Sequence, residues 1–294
     1  MRHTSNPYRS AAGSTGHVTL LTDSYGELRS DGKDEELLCH YTRADTALNH
    51  LLPSRELRMN SFRRMRDPLE NKELHKMLRF TDGIEPDGLS LAEAQERIGE
   101  IRGQMRILSM TSDAAGYEDK EIRAFGRAYA RPRMWEQYAE DHRGVCLAFS
   151  KNCMIGPFYE TIKHFGAASC NPVRYKHGGF AVSPARLIDP IPITEFGAET
   201  SLTNHVSEHH EDLWFLKLSD WDSEYEYRFL VFAPTVPTDE PIDVPFGECL
   251  KAVILGEHFD PARMPEARHL VTQLGVRLCS LDWRSGRPSV VAVE

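Results

Sequence analysis

The chain has 294 residues, 40% of them hydrophobic, and its 35 Lys and Arg against 44 Asp and Glu give a formal net charge of −9 at pH 7. This composition is typical of globular proteins and excludes disorder over the whole length. The acidic balance argues against a general binder of phosphate backbones, because such proteins concentrate Lys and Arg.

The predicted elements follow from composition and apolar periodicity. Residues 1–33 are rich in Ser, Gly, Thr and Asp, which predicts a loosely ordered arm before a single domain at residues 34–294. Strands are predicted at residues 36–41, 56–60, 106–112, 145–149, 173–175, 225–232, 250–255 and 276–281. Helices are predicted at residues 45–52, 90–104, 132–144, 211–218 and 261–274, with another opening at 66–70 and loops at 81–90 and 181–200. Because strands and helices mix without regular alternation, we expect an α+β fold with a mixed central sheet and flanking helices.

The helix at 90–104 has a specific start signal. Ser90 and Glu93 fit a capping box, in which each side chain bonds the backbone N–H of the other residue.

The apolar runs and the cysteines bear on membrane association and on the expected cellular location. Runs such as Phe229–Ala233 are far shorter than the about 18 residues that cross a bilayer, so no membrane association is predicted. No signal-peptide stretch is evident in the first thirty residues, so the expected location is the cytoplasm. Six scattered cysteines without a Cys-x-x-Cys pair are expected to be mostly buried thiols. No feature of the sequence indicates an oligomeric state.

The first candidate site is His40-Tyr41-Thr42, a polar triplet at the end of an apolar strand. This position suits contact with a ligand, whereas the alternative is a half-buried histidine whose hydrogen bonds are satisfied within the fold.

The second candidate is the segment from Met134 to Leu147. Trp135, Tyr138 and His142 are spaced to share one face of a helix, where they would form an aromatic platform beside a titratable group. Core packing explains the Trp and the Tyr equally well.

The third candidate lies at the start of the strand predicted at 225–232. Alternation along that strand places Glu224, Glu226 and Arg228 on one face. At the mouth of a cleft, one carboxylate would stabilise a developing cation while the other groups set its charge. The alternative is an ion pair on a solvated face.

Other sequence motifs give little support for a metal site or for phosphate binding. His205 and His209 have the i, i+4 spacing of metal ligands, but no third ligand is evident and no metal site is predicted. Phosphate-binding loops of the GxxxxGK[ST] and GxGxxG types do not occur, and neither does a GxSxG nucleophile elbow.

The order of these motifs resembles the bacterial domain of unknown function 2971 family over about residues 36–282. The segments that carry the resemblance are Leu38–Thr42, Leu57–Ser61, Asp67–Glu70, Met134–Phe149, Trp221–Arg228 and Val253–Gly256. One departure is visible, since the family usually has Phe-Asn-Asp-Pro where this chain has Met65-Arg66-Asp67-Pro68.

That family in turn resembles a remote branch of the ADP-ribosyltransferase fold, with a split sheet and a His-Tyr-Glu group. The resemblance implies that His40 holds a ribose hydroxyl of NAD and that Glu226 engages the 2′-hydroxyl of the nicotinamide ribose. It also implies that Tyr138 stacks on nicotinamide, with Trp135 or Tyr41 as alternatives.

Further roles follow from the residue types. Arg228 would pair the pyrophosphate or neutralise Glu226, and Glu224 would orient the acceptor or raise the pKa of its neighbour.

The function expected is therefore an NAD-dependent ADP-ribosyltransferase of bacterial defence or toxin type. NAD would be a substrate, and the second substrate a macromolecule, either protein or nucleic acid. The alternative is a catalytically silent binding or adaptor module on the same fold.

Overall fold

The central feature of the fold is a large mixed sheet, seen in a computed structural model that describes residues 20–22, 28–30, 36–65, 67, 70, 75–117, 119 and 122–293. The arm predicted at 1–33 lies outside these residues except for two antiparallel strands, β1 (Leu20–Thr22) and β2 (Leu28–Ser30). The helix predicted to open at 66–70 also lies mostly outside them.

Ten strands of the described residues form the large sheet. They are β3 (Leu37–Thr42), β4 (Glu56–Ser61), β6 (Met105–Ser112), β7 (Val145–Ser150), β8 (Ala168–Pro172), β12 (Glu226–Phe232), β13 (Ile242–Pro245), β14 (Leu250–Leu255), β15 (Arg277–Arg284) and β16 (Arg287–Ala292). Four short strands form two parallel pairs, β5 (Arg79–Phe80) with β10 (Leu187–Ile188) and β9 (Arg174–Lys176) with β11 (Leu216–Leu218).

The sheet divides at strand β6. One edge of β6 pairs with β12 along its length, and β12 pairs in turn with β8. The other edge is shared, since Arg106 and Ile107 pair with β4 while Thr111 and Ser112 pair with β3. Strands β3 and β4 therefore leave β6 in different directions, and the stretch from Leu108 to Met110 faces the gap between them. We call this gap the split.

The helices flank the sheet on both faces. They are α1 (Ala44–Thr46), α2 (Leu52–Ser54), α3 (Leu91–Gly103), α4 (Arg123–Gly126), α5 (Pro132–Tyr138), α6 (Lys151–Ile162), α7 (Pro190–Phe196), α8 (Ala198–Glu208), α9 (His210–Trp214) and α10 (Met264–Leu274), with a π-helical turn at Ala47–Leu51. Turns of 3₁₀ helix lie at Phe62–Arg64, His75–Met77, Thr81–Gly83, Gly179–Val182, Pro184–Arg186, Ser219–Glu224, Gly247–Cys249 and Pro261–Arg263. None of the helices in the described part of the chain combines the length and the apolar character needed to cross a bilayer.

Three hydrophobic clusters hold these layers together. The largest packs α6 and α10 against one face of the sheet, with Phe158 and Val271 among its members. A second packs α5 against the other face around Trp135, and a third joins α3 and α8 around Trp214.

The α+β prediction with a mixed central sheet is confirmed. The loop prediction at 181–200 is wrong, because α7 lies within it and α8 begins there, with Asp189 capping α7 and Pro190 in its first turn. The helix prediction at 211–218 is wrong at its end, because α9 stops at Trp214 and residues 216–218 form β11.

The cysteines depart in part from the prediction of buried thiols. Cys153 on α6 and Cys249 in the 3₁₀ turn before β14 form a disulfide, because α6 packs against that turn. Cys39, Cys146 and Cys279 are buried free thiols, and Cys170 is a half-buried one.

Candidate active site

A pocket of about 250 Å³ lies at the split. Its wall is built from strands β3, β4, β6, β11 and β12, helix α5 and the 3₁₀ turn at Ser219–Glu224. The polar and aromatic residues that line it include His40, Asn60, Asp67, Ser109, Thr111, Tyr138, Lys217, Trp221, Glu224 and Glu226.

His40 reaches the pocket because the sheet is split. In a continuous sheet, the pairing of Cys39 and Glu226 with the same residue, Thr111, would place His40 on the face opposite Glu226. Beyond Cys39, however, β3 no longer pairs with β6, and the His40 ring instead hydrogen-bonds the backbone of Ser109. His40 and Glu226 therefore line one pocket. Burial lowers the pKa of His40, which favours a neutral imidazole near pH 7.

Glu226 is held in place by a buried arginine. The Arg228 guanidinium donates to both carboxylate oxygens of Glu226 at 2.7 and 2.9 Å, and to both oxygens of Glu70 at 2.7 and 3.0 Å. Burial opposes ionisation of Glu226, but Arg228 and Lys217 outweigh it and lower the pKa of Glu226 to about 2. For Glu70, in contrast, the effect of burial exceeds that of Arg228 and Lys217, so the pKa of Glu70 is raised. Glu226 is thus a fixed carboxylate at neutral pH.

Glu224 joins the same group through Lys217. The Lys217 ammonium lies 2.8 Å from Oε2 of Glu224 and 3.2 Å from Oε2 of Glu226. The Tyr138 hydroxyl donates to Oε1 of Glu224 at 2.8 Å. Burial alone would lower the pKa of Lys217, but the neighbouring carboxylates raise it above its usual value. The pocket therefore holds two carboxylates bridged by one ammonium.

Two further polar groups of β6 face this pocket. Thr111 and Ser109 pair with Glu226 and Arg228 on the neighbouring strand, so all four project from one face of the sheet. The buried hydroxyl of Thr111 has no hydrogen-bond partner among the described residues. A buried hydroxyl without a partner is costly, so a bound ligand that offers one would gain from it.

Several predicted site residues do not offer their functional groups to the pocket. Tyr41 borders the pocket, but its hydroxyl is bonded to the Ala128 carbonyl at 2.6 Å on the other side of β3. Thr42 is buried at the end of β3 and is not among the residues that line the pocket. Arg228 is fully buried and bonded to two carboxylates, so it neutralises Glu226 and offers no group to a pyrophosphate.

Trp135 also lies outside the pocket. Its side chain is fully buried, its Nε1 donates to the Tyr129 carbonyl at 2.8 Å, and the edge of Tyr41 packs against it. Helix α5 ends at Tyr138, but a turn with positive φ at residues 140–142 brings His142 back to stack on Trp135. Trp135 therefore packs the core, and Tyr138 is the predicted aromatic residue that lies at the pocket with its side chain partly exposed.

The sequence prediction missed Lys217, and it named Trp221 without giving it a role. Lys217 stands between Leu216 and Leu218, and a lysine within an apolar stretch signals a buried charge that needs a partner. The Trp221 ring lies 4.6 Å from the Lys217 ammonium, a cation–π distance.

His205 on α8 and His209, just after the end of that helix, have a structural role. Nε2 of His205 is 2.8 Å from the Ala185 carbonyl, and the His205 ring packs against His209. Over the residues that the structure describes, no group of three His, Cys, Asp or Glu side chains is arranged to hold a metal ion.

The fold and the pocket together define an α+β protein with a pocket at a split in its central sheet, lined by two buried glutamates and a buried lysine. Residues 134–229, less than half of the chain, match the model of a family described as protein of unknown function (DUF2971). The predicted resemblance to that family is confirmed over these residues. No curated protein and no solved structure matches this chain.

Proposed function

We propose that the pocket binds NAD and that the protein transfers ADP-ribose from NAD to a macromolecular acceptor. The observation that carries the proposal is that His40 and Glu226, which are far apart in the sequence, line one pocket. In this reaction the bond between C1′ of the ribose and nicotinamide breaks, and its electron pair leaves with neutral nicotinamide. An acceptor atom then bonds C1′ and loses its proton to solvent or to a nearby base.

The charges of the pocket favour such a step. Glu70, Glu224 and Glu226 are ion-paired with two cations, Lys217 and Arg228, so this buried cluster, without Asp67 and the exposed Arg58 and Arg64 of the lining, has a formal charge of minus one. A fixed negative charge stabilises the oxocarbenium-like centre that develops when the glycosidic bond breaks. The pocket would also favour the positively charged nicotinamide ring of NAD over its neutral, reduced form.

His40 and Tyr138 would position the substrate. A neutral imidazole can hydrogen-bond a ribose hydroxyl without adding a positive charge that would oppose the reaction. Tyr138 is partly exposed at the pocket and offers a ring for stacking on nicotinamide.

The size of the pocket limits what it encloses. A volume of about 250 Å³ is below the roughly 300–1,000 Å³ of pockets that enclose drug-sized ligands. We therefore assign the enclosed part to the nicotinamide ribose half of NAD, with the rest at the mouth, where Arg58 and Arg64 are exposed.

The nature of the acceptor rests on the sequence resemblance alone. A protein or a nucleic acid is the acceptor class that it implies, within bacterial defence or toxin activity.

The test is NAD consumption by the purified protein, with and without cell extract. Glu226→Gln should lower turnover about 100-fold or more, because a preorganised charge at the reacting centre is lost. Glu257→Gln changes an exposed residue that is not among those lining the pocket, so it is the matched control and should leave turnover unchanged. Equal rates for wild type and Glu226→Gln would remove Glu226 from the mechanism.

A binding module is the second candidate, and one observation favours it. The Glu226 carboxylate accepts three hydrogen bonds from Arg228 and Lys217, which also suits a purely structural ion pair. NAD binding measured by calorimetry without any turnover, even with cell extract, would support this function and overturn the enzymatic one.

A further inference from the structure

Lys217 occupies an unusual position for a lysine. It is the middle residue of strand β11, its side chain is only 3% exposed, and it is enclosed by the pocket wall. Its ammonium bridges Glu224 and Glu226 and lies against the Trp221 ring. Burying an ammonium is costly, so its position is explained only by the carboxylates that it contacts.

The two carboxylates depend on Lys217 to different degrees. Glu226 also binds Arg228, which shares its guanidinium with Glu70. For Glu224, the cation in ion-pair contact among the described residues is Lys217, and its other hydrogen bond comes from the neutral Tyr138 hydroxyl. Glu224 would therefore be left as a buried carboxylate without a cation if Lys217 lost its charge.

We infer that Lys217 is the positioning residue of the pocket, placing one ammonium between Glu224 and Glu226 so that both remain carboxylates directed into it. The test of this inference by NAD turnover rests on the proposed function. Without the ammonium, two like charges in a buried site disfavour each other, and one of them takes up a proton.

The groups around Lys217 come from several elements. The titratable and charged residues that line the pocket or contact Lys217 and its two carboxylates are His40, Arg58, Arg64, Asp67, Glu70, Tyr138, Tyr175, Glu224, Glu226 and Arg228. Burial and the Glu226 charge raise the pKa of Tyr175, so its hydroxyl stays neutral and accepts the backbone N–H of Glu226. The neutral His40 and Tyr138 also add no charge near pH 7, so Lys217 and Arg228 are the cations in ion-pair contact with Glu224 and Glu226, and Arg228 is shared with Glu70.

The first test compares the pH dependence of NAD turnover in wild type, Lys217→Met and Lys217→Arg. For Lys217→Met, we expect turnover relative to wild type to be lower at pH 6 than at pH 9, because a buried carboxylate without its cation ionises only at higher pH. Lys217→Arg keeps the positive charge and should keep the wild-type pH profile. A loss in Lys217→Met that is the same at every pH from 6 to 9 would overturn the inference.

The second test does not require turnover. Carboxyl ¹³C signals of Glu-labelled protein are followed from pH 4 to pH 9, with Glu224 assigned through Glu224→Gln. In Lys217→Met the midpoint of the Glu224 signal should lie at a higher pH than in wild type. An unchanged midpoint would overturn the inference. If wild type does not consume NAD but this midpoint rises, the proposed function fails and the role of Lys217 stands.

A third variant covers the case in which Lys217→Met does not fold. The double variant Lys217→Met with Glu224→Gln removes both charges of the pair and leaves no unpaired Glu224 carboxylate. Recovery of folding in the double variant, measured by thermal unfolding, supports the inference. Equal loss of folding in the single and the double variant contradicts it.

Discussion

Tyr225 stands between the two pocket carboxylates and adopts a left-handed backbone conformation, with φ at 45°. Bulky residues rarely adopt this conformation, because Cβ then approaches the carbonyl oxygen. The reversal ends the 3₁₀ turn at Glu224 and starts β12 at Glu226, which allows both carboxylates to reach Lys217. The Arg131 guanidinium lies 4.1 Å from the Tyr225 ring and holds it in place.

We predict that the backbone at Tyr225 matters more than its ring. Tyr225→Gly keeps the left-handed conformation accessible, whereas Tyr225→Val introduces a β-branched residue that strongly disfavours it. The free energy of unfolding in urea should therefore be lower for Tyr225→Val than for Tyr225→Gly by about 1–3 kcal/mol. Equal stabilities of the two variants would show that the reversal stores no strain.

Helix α3 illustrates how a local signal determines an element. The capping box predicted from the sequence is confirmed, because Ser90 accepts from the backbone N–H of Glu93 and the Glu93 side chain accepts from that of Ser90. These two bonds satisfy backbone donors that the first turn of a helix leaves unpaired.

Ser90→Ala should lower the free energy of unfolding by about 1 kcal/mol, because the Glu93 N–H loses its acceptor. Ser207→Ala, an exposed residue within α8, is the matched control and should change stability by less than about 0.5 kcal/mol. The measurement is urea unfolding followed by circular dichroism. A loss for Ser207→Ala as large as for Ser90→Ala would remove the cap as the cause.

Elements governed by local chemistry were predictable, and those governed by distant contacts were not. The capping box and the apolar strands near Leu147 and Val253 follow from neighbouring residues. Pro190 suggested a loop, yet proline in a first helical turn favours a start when a residue such as Asp189 caps it.

The residues of the candidate site show the same difference between local and distant causes. His40 and Glu226 were identified as residue types at strand ends, but the split that unites them depends on which strand each part of β6 pairs with. Lys217 was missed because its partners approach only after β11 and β12 are in place. Trp135 has the same local pattern as a ligand-facing aromatic, and only its packing against Tyr41 and His142 shows that it is buried.

At the scale of the whole molecule, the buried ion pairs of the pocket link folding to pH. In the folded chain Glu226 stays ionised down to a pKa of about 2, whereas in the unfolded chain it takes up a proton near its ordinary value of 4.5. Between these values the unfolded state binds more protons, so stability falls as the pH falls from 4.5 to 2. The full effect of Glu226 is about 3 kcal/mol, and about 2 kcal/mol of it is lost by pH 3.

Urea unfolding at pH 5, 4 and 3 measures this dependence. Wild type should lose about 2 kcal/mol more than Glu226→Gln between pH 5 and pH 3, because the variant has no carboxylate to protonate at this position. Glu70, with its raised pKa, acts in the opposite direction and reduces the total slope. Glu257→Gln should keep the wild-type slope, and an equal slope in Glu226→Gln would show that the buried pair does not govern acid unfolding.

The split has a consequence for how relatives of this protein are recognised. The segment that matches the family, residues 134–229, supplies Tyr138, Lys217 and both pocket glutamates, whereas His40 and Thr111 precede it. A search of genomes with that segment alone would find chains that have the two pocket glutamates, whether or not they also have a histidine at the position of His40. In this chain His40 follows Cys39, the last residue of β3 that pairs with β6. Sorting such chains by the residue at the position of His40 would separate those that have both the glutamates and the histidine from those that have the glutamates alone.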